Sequence, residues 1–291
     1  MRNFFMDICK IIPDKLYLKI MFFYHFHKIL NFNNVQTLNE KIQWLKINDR
    51  VYNGSNLVDK YEVRKYIKNI LGEKYLIPLI GVWNSMDEIN FDELPDKFVL
   101  KCTHDSKSVI ICKDKSNFKF NEAKEILNKN LKKNAFWYGR EWPYRNVTPR
   151  IICEKYMVDE SGSELKDYKI MCFNGVADNI MVCYNRKNGH ADFKYFDLEW
   201  NELFYNKNNI NRDSQRIIEK PKNLDKMIEI AEKLSTGFYF TRIDLYDVHG
   251  EIYFGEITFY PASGFDKDIT EETDYILGKK LNLKTKVNKN L

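Results

Sequence analysis

The run FYFTRIDLYDVHGEIYFGEITFYP, residues 238–261, constrains this chain more than any other stretch. Two segments rich in aromatic and β-branched side chains flank His249-Gly250. So short a connection joins antiparallel neighbours, because a parallel crossover needs roughly a dozen residues or more. Side chains alternate between the faces of a strand. Arg242 and Asp244 therefore share one face, as do Glu256 and Thr258, while Ile243, Leu245, Ile257 and Phe259 point the other way. Whether Asp244 meets Glu256 depends on the turn. A two-residue turn sends them to opposite faces; a three-residue loop with Gly250 left-handed brings them together. The second arrangement gathers two carboxylates, as magnesium on nucleotide phosphates requires. A two-sided strand pair with solvated charges is the other reading.

The rest of the chain fits the same class. After Arg150, the segments RIICEKYM, DYKIMCF and DNIMVCY read as strands in quick succession, with FNG as a hairpin turn. Upstream, YLIPLIGVW reads as a buried strand, and LPDKFVLKCTHDSKSVIICKD as two short strands around a polar turn. Helices are expected at KIQWLK behind a Thr37–Glu40 capping box, at LVDKYEVRKYIKNIL ending on Gly72, at NEAKEILNKNLKK capped by Asn121, and at NLDKMIEIAEKLS. The acidic stretch Asp266–Asp274 leads into a last short helix. With 44% hydrophobic and 15% aromatic residues, a sizeable core is available and disorder is excluded. The expectation is an α+β chain with a helical first lobe.

Charge excludes one partner class. The net charge is 46 − 41 = +5, and the stretch 278–291 alone carries five lysines and no acid. The body is therefore balanced, 41 against 41, without the footprint of a nucleic-acid binder. Residues 1–50 hold eight basic and four acidic groups. Solvated termini explain both excesses; attraction to an anionic membrane face or polymer is the sharper reading. The six cysteines form no CxxC pair, and five lie in apolar runs, which suits a reducing compartment. The opening MRNFFMDICKIIPDK has no uninterrupted apolar core of a secretory signal. Tyr17–Leu30 is apolar but broken by Lys19, His25, His27 and Lys28, too short and polar to span a bilayer. An amphipathic core helix is expected there, ahead of a helix lying on a membrane surface. A cytoplasmic chain follows, with peripheral contact at the inner membrane face as the second reading.

Two further constellations suit a nucleotide. Lys101-Cys102-Thr103-His104-Asp105-Ser106-Lys107-Ser108 is a polar turn between apolar strands, able to offer amides, hydroxyls and a lysine to a triphosphate. A plain hairpin tip would look alike. Glu154-Lys155-Tyr156-Met157 followed by Asp167-Tyr168-Lys169 places a carboxylate and an inward lysine at strand ends, where surface charges would also occur. There is no GxxxxGK[ST] and no GxGxxG, and the five histidines form no metal motif. Asp266-Lys267-Asp268 is the sole Asp-x-Asp, at a place where a helix N-terminus would gather acids anyway.

The order of NEKIQWLKI, VDKYEVRKYI with GEKYLIPLIGVW, LPDKFVLKCTHDS, EWPYRNVTPRIICEKYM, LKDYKIMCFNG and TRIDLYDVHGEIYFGEITFYPASG resembles the TupA-like branch of the ATP-grasp superfamily, from about Leu38 to Gly264. That branch belongs to bacterial polysaccharide and teichuronopeptide biosynthesis. The resemblance implies two α+β subdomains clamping ATP, with a helical N-terminal lobe for the acceptor. The segments expected are 1–93 (helical lobe), 94–152 (small subdomain with the phosphate loop), 153–277 (large subdomain with the metal site) and 278–291 (basic tail).

By the same resemblance, Lys101 and Lys169 hold ATP phosphates, and the turn with His104, Ser106 and Ser108 closes over them. Glu154, Lys155, Tyr156 and Met157 form the hinge on adenine. Asp244 and Glu256 are magnesium ligands, with Thr258 where many ATP-grasp enzymes have Asn. Arg242 neutralises the transferring phosphoryl group, and Lys60 and Arg64 face the acceptor. Asp105 and Lys107 depart from the family's glycine-rich loop, and glycine's freedom to approach phosphate closely is lost there. The implied activity is an ATP- and Mg2+-dependent ligase joining a carboxylate, such as a uronate on a sugar or glycan, to an amine. A glycosyltransferase of capsule or cell-wall polysaccharide and an ATP-binding protein without turnover are the rivals.

Overall fold

Short turns between apolar strands leave antiparallel pairing as the simplest way to satisfy their backbone groups. The computed structural model contains two such sheets. It describes residues 10–51, 54–105, 108–162, 165–187, 190–207 and 216–284. Two compact units result: Met1–Val51 with Asp159–Leu291, and Tyr52–Val158. The smaller unit is thus an insertion within the larger. These limits follow packing and do not coincide with the four functional segments drawn from the sequence; the 277/278 boundary falls inside the helix Glu271–Lys280.

The smaller unit holds β1 (Leu79–Trp83), β2 (Phe98–Cys102), β3 (Val109–Cys112) and β4 (Ile151–Lys155), in the order β1-β4-β2-β3. Phe98, Leu100 and Cys102 alternate inward along β2 and join Cys112, Ile151 and Cys153 in a core with Leu127 of the helix Phe120–Leu131. Asn121, expected to cap that helix, lies inside it, and Lys119 takes the cap position. The opposite sheet face carries Val99, Lys101, Ile152 and Glu154, with Val109 and Ile111 half exposed.

The larger unit holds β5 (Asp167–Phe173), β6 (Val176–Lys187), β7 (His190–Phe196), β8 (Glu202–Leu203), β9 (Phe240–Val248) and β10 (Glu251–Thr258), in the order β10-β9-β5-β6-β7-β8. The central strand β5 is buried along its whole length. Ile170, Ile180, Val182, Ile243 and Leu245 form one face and are fully buried, and the helix Leu224–Ser235 packs on β5, β6 and β9, contributing Met227, Ile230, Ala231 and Leu234 to the core. The Asn174-Gly175 turn takes left-handed backbone at both residues, as the sequence leads one to expect of a tight hairpin. The helix Leu38–Asn48 starts at the expected Thr37–Glu40 capping box and packs on Glu271–Lys280, where Lys41 Nζ donates to the Gly278 and Leu281 carbonyls, each at 2.7 Å. Among the described residues no helix is long and apolar enough to cross a membrane.

Candidate functional site

Among the described residues, each unit holds a cluster of buried charged side chains that includes residues singled out from the sequence. In the larger unit the His249-Gly250 turn is a two-residue one, with Val248 opposite Glu251 and both turn residues left-handed. Regular pairing from such a turn puts Asp244 and Glu256 on opposite faces. Instead the register slips by one residue between Phe254 and Glu256, and Glu256 pairs directly with Asp244. The three-residue loop considered from the sequence is not what unites the carboxylates; a bulge at Gly255 does. A Cβ on Gly255 would lie 2.9 Å from the Asp244 carbonyl oxygen and 3.1 Å from the Tyr246 ring, so only glycine permits this approach.

The slip completes a row across the sheet. Glu256 pairs with Asp244, Asp244 with Lys169, Lys169 with Met181, Met181 with Tyr195, and Tyr195 with Leu203. Directly paired residues share a face, so Glu256, Asp244 and Lys169 stand side by side. One turn of the pleat away, Arg242 lies between Thr258 and Met171. Its guanidinium forks onto Asp244, Nε to Oδ1 at 2.7 Å and Nη2 to Oδ2 at 2.9 Å, and Nη2 also reaches Glu256 Oε1 at 2.9 Å and Thr258 Oγ1 at 3.1 Å. Lys169 bonds Asp244 from the other side and Asp167 at 3.1 Å. The Asp244 side chain is 2% exposed and the Glu256 side chain 30%, so the second carboxylate is the accessible one.

This donor set is all oxygen: two carboxylates and a hydroxyl. It suits a hard cation such as Mg2+, which takes one or two carboxylates and completes its shell with water and phosphate. No group of three or more His, Cys, Asp or Glu side chains able to hold a metal occurs among the described residues.

In the smaller unit Glu154 lies at the centre. Lys101 Nζ is 2.5 Å from Glu154 Oε2, and Arg64 Nη1 is 3.2 Å from Oε1, while Arg64 Nη2 donates to the Ile77 carbonyl at 2.9 Å. Lys60 donates to the Asp105 carbonyl. Lys155 is exposed, and Tyr156 and Met157 are partly buried in the stretch that ends the unit. His104 is 3% exposed, with Nε2 3.1 Å from the Asn130 carbonyl, so it anchors the turn to the helix Phe120–Leu131. Ser108 is also buried: its amide donates to Asp105 Oδ1 at 3.2 Å and its hydroxyl bonds the same oxygen. Asp105 thus spends its charge on the loop's own donors. Ser106 and Lys107 lie outside the described residues.

Asp167 was not singled out as a ligand by sequence reasoning, though its place two residues before Lys169 on one strand put it on the same face. Tyr195 lies further along the same row and is buried. Burial pushes its phenol well above the usual value, with Asp266 adding to the rise, Arg242 opposing it and Asp268 adding again. Asp266, with Oδ1 accepting the Asp268 amide at 2.9 Å, is likewise raised, by burial first. Burial lifts the thiols of Cys102 and Cys183 to about 11 and of Cys153 and Cys172 to about 12, and raises that of Cys112 as well, which disfavours thiolate at all five.

A sequence model described as TupA-like ATPgrasp matches residues 40–282. No curated relative matches the chain. Among solved structures it is similar to D-alanine–D-alanine ligase from Bacillus anthracis complexed with ATP, at 17% identity over 77% of this chain and 61% of that one, with a TM-score of 0.44. It is also similar to D-alanyl-alanine synthetase A from Vibrio cholerae (14% identity, 78% and 66% covered, TM-score 0.44) and phosphoribosylamine–glycine ligase from Thermotoga maritima (13% identity, 71% and 48% covered, TM-score 0.42). The chain spans about three fifths of the length of the D-alanine–D-alanine ligases from Bacillus anthracis and Helicobacter pylori that it matches.

Proposed function

The chain belongs to the TupA-like ATP-grasp family and has its α+β fold, and on that premise we propose that it is an ATP- and Mg2+-dependent ligase forming an amide between a carboxylate and an amine. The observation that carries this reading is the row Glu256, Asp244 and Lys169, with Arg242 bridging both carboxylates. A substrate carboxylate attacks the γ-phosphorus of ATP, releasing ADP and leaving an acyl phosphate. The amine then attacks the acyl carbon and phosphate departs. Neither step needs a protein nucleophile; both need charge held in place.

Asp244, Glu256 and the Thr258 hydroxyl would hold Mg2+, whose chemistry here is to neutralise phosphate oxygens. Lys169 and Lys101 bind phosphate oxygens, and Arg242 offsets charge on the phosphoryl group as it transfers. Glu154, Lys155, Tyr156 and Met157 hold adenine, Glu154 also orienting Lys101. His104 fixes the phosphate turn, within which Ser106 and Ser108 meet phosphate; for Ser108 this requires Asp105 to release its amide and hydroxyl. Lys60 and Arg64 face the acceptor. In functional terms residues 1–93, 94–152, 153–277 and 278–291 keep the roles of acceptor lobe, phosphate-loop sheet, metal-site sheet and tail. The carboxylate is a uronate-bearing sugar or glycan of a bacterial surface polysaccharide such as capsule, and the amine an amino acid or amino alcohol, at the cytoplasmic side of the membrane.

Calorimetric titration with a non-hydrolysable ATP analogue, with and without Mg2+, tests the reading. Binding is expected to need Mg2+ and to be lost in Asp244→Asn and Glu256→Gln. Binding of a UDP-sugar with no response to the ATP analogue would replace the ligase with a glycosyltransferase. Binding of ATP with no ADP release for any carboxylate and amine pair would leave a non-catalytic ATP-binding protein.

A further inference from the structure

The helix Asp14–Phe26, DKLYLKIMFFYHF, is apolar around most of its circumference, and its core needs only one side. Tyr17, Leu18 and Phe22 are buried and form a cluster with Leu30 and Phe32. The opposite side carries Leu16, Ile20 and Phe23 at spacings of four and three, with Tyr24 beside them. Leu16, Ile20 and Phe23 are each at least half exposed, Tyr24 is 69% exposed, and Ile11 and Ile29 beyond the helix ends exceed 80%. A strip of four large apolar side chains on one helix face is not the scatter of single residues that ordinary surfaces tolerate.

Its charges name the occupant. Between residues 10 and 30 the chain has Lys10, Lys15, Lys19 and Lys28 against one acid, Asp14. All four lysines are exposed, and Lys15 and Lys19 follow one edge of the strip. Lys28 pairs with Glu271, and Lys15 Nζ lies 5.4 Å from the Phe32 ring centroid. We infer that the outward face of Asp14–Phe26 docks on an anionic lipid surface, with Leu16, Ile20, Phe23 and Tyr24 entering the headgroup region and Lys15 and Lys19 meeting lipid phosphates and carboxylates. The helix lies in the surface plane. At 13 residues it is roughly 20 Å long, short of a span, and its other face is committed to the core. A second copy fits less well: a two-fold pairing of this face brings Lys15 and Lys19 against their own counterparts or leaves them along an apolar seam. This inference stands whether or not the ligase reading does.

Flotation of the full chain with vesicles of phosphatidylcholine alone, or of phosphatidylcholine and phosphatidylserine at seven to three, is the test. Binding is expected to the serine-containing vesicles and to weaken with salt. Leu16→Ser/Ile20→Ser/Phe23→Ser should lower partitioning about 100-fold. Lys15→Glu/Lys19→Glu should lower it at least about tenfold on the anionic vesicles. All five positions are exposed, and an unchanged thermal melt checks that each variant is folded. No binding to either vesicle, or binding that the triple variant leaves intact, overturns the inference. So does a concentration-dependent dimer in sedimentation that the triple variant abolishes, which would assign the face to a second copy.

Discussion

The two charged clusters carry opposite imbalances. In the larger unit Asp167, Asp244 and Glu256 outnumber Lys169 and Arg242, three against two. In the smaller unit Lys101 and Arg64 outnumber Glu154, two against one. Among the ion pairs just named the larger unit's cluster is acidic and the smaller unit's basic, and these side chains are largely buried. The two also differ in construction. The larger cluster is a row of strand residues fixed by register, whereas the smaller joins a sheet to a helix and a turn.

That contrast can be broken from either side. Glu154→Gln leaves two cations in the smaller unit without their anion and should cost about 3 kcal/mol of stability in urea unfolding. It should also raise the KM for ATP, because Lys101 loses its orientation. If stability is unchanged, Glu154 is not the counter-charge described. Gly255→Ala forces a Cβ onto the Asp244 carbonyl; about 2 kcal/mol is expected, and removal of the bulge turns Glu256 to the other face. Mg2+-dependent ATP binding should fall with it, and a variant that binds Mg2+ and ATP normally would show that the bulge is dispensable.

His104→Ala removes the anchor between the phosphate turn and Asn130, with about 1 kcal/mol expected and a larger effect on KM than on kcat. An equal loss in both would mean that the side chain acts on the transition state itself. The smallest effect is electrostatic. Burial raises Asp266 above the usual carboxyl value, so the folded state binds its proton more tightly than the unfolded state does. Above the folded value the charged form lowers stability, and that penalty is relieved as pH falls through the folded value toward the ordinary one. Asp266→Asn should therefore raise the Tm at pH 7, and the gain should shrink in melts toward pH 4. A gain that stays constant with pH would point to packing.

Local chemistry was legible in the sequence because it is written in adjacent residues. Thr37 and Glu40 announce their capping box, and Asn174-Gly175 and His249-Gly250 their turns. The α+β class follows from strands too close together for crossovers. Legibility ends where one residue of register decides the outcome. Nothing in the alternation of EIYFGEIT says that Gly255 is passed over in pairing, yet that choice sets the face of Glu256. His104 and Ser108 look like open-loop donors by composition, but their bonds go to Asn130 and Asp105. The helix from Asp14 was expected to be amphipathic; its second apolar face emerges only once the core side is known.

The insertion of Tyr52–Val158 within the larger unit has a consequence for the order of synthesis. The helix Leu38–Asn48 is made early; Trp44 and Ile47 pack on the preceding Tyr17–Phe32 cluster, but other partners come near the end of the unit. Lys46, fully buried, donates to the Ser263 carbonyl 217 residues downstream, and Gln43 donates to the carbonyl of Gly264. Until the ribosome has passed the turn Ala262–Gly264, Ile42 and Leu45 have no finished core to enter. The inserted unit, by contrast, is contiguous and has all its strands as soon as it emerges. The side of this early helix that carries Ile42 and Leu45 is thus among the last parts of the larger unit to be packed, after the translation of more than two hundred further residues.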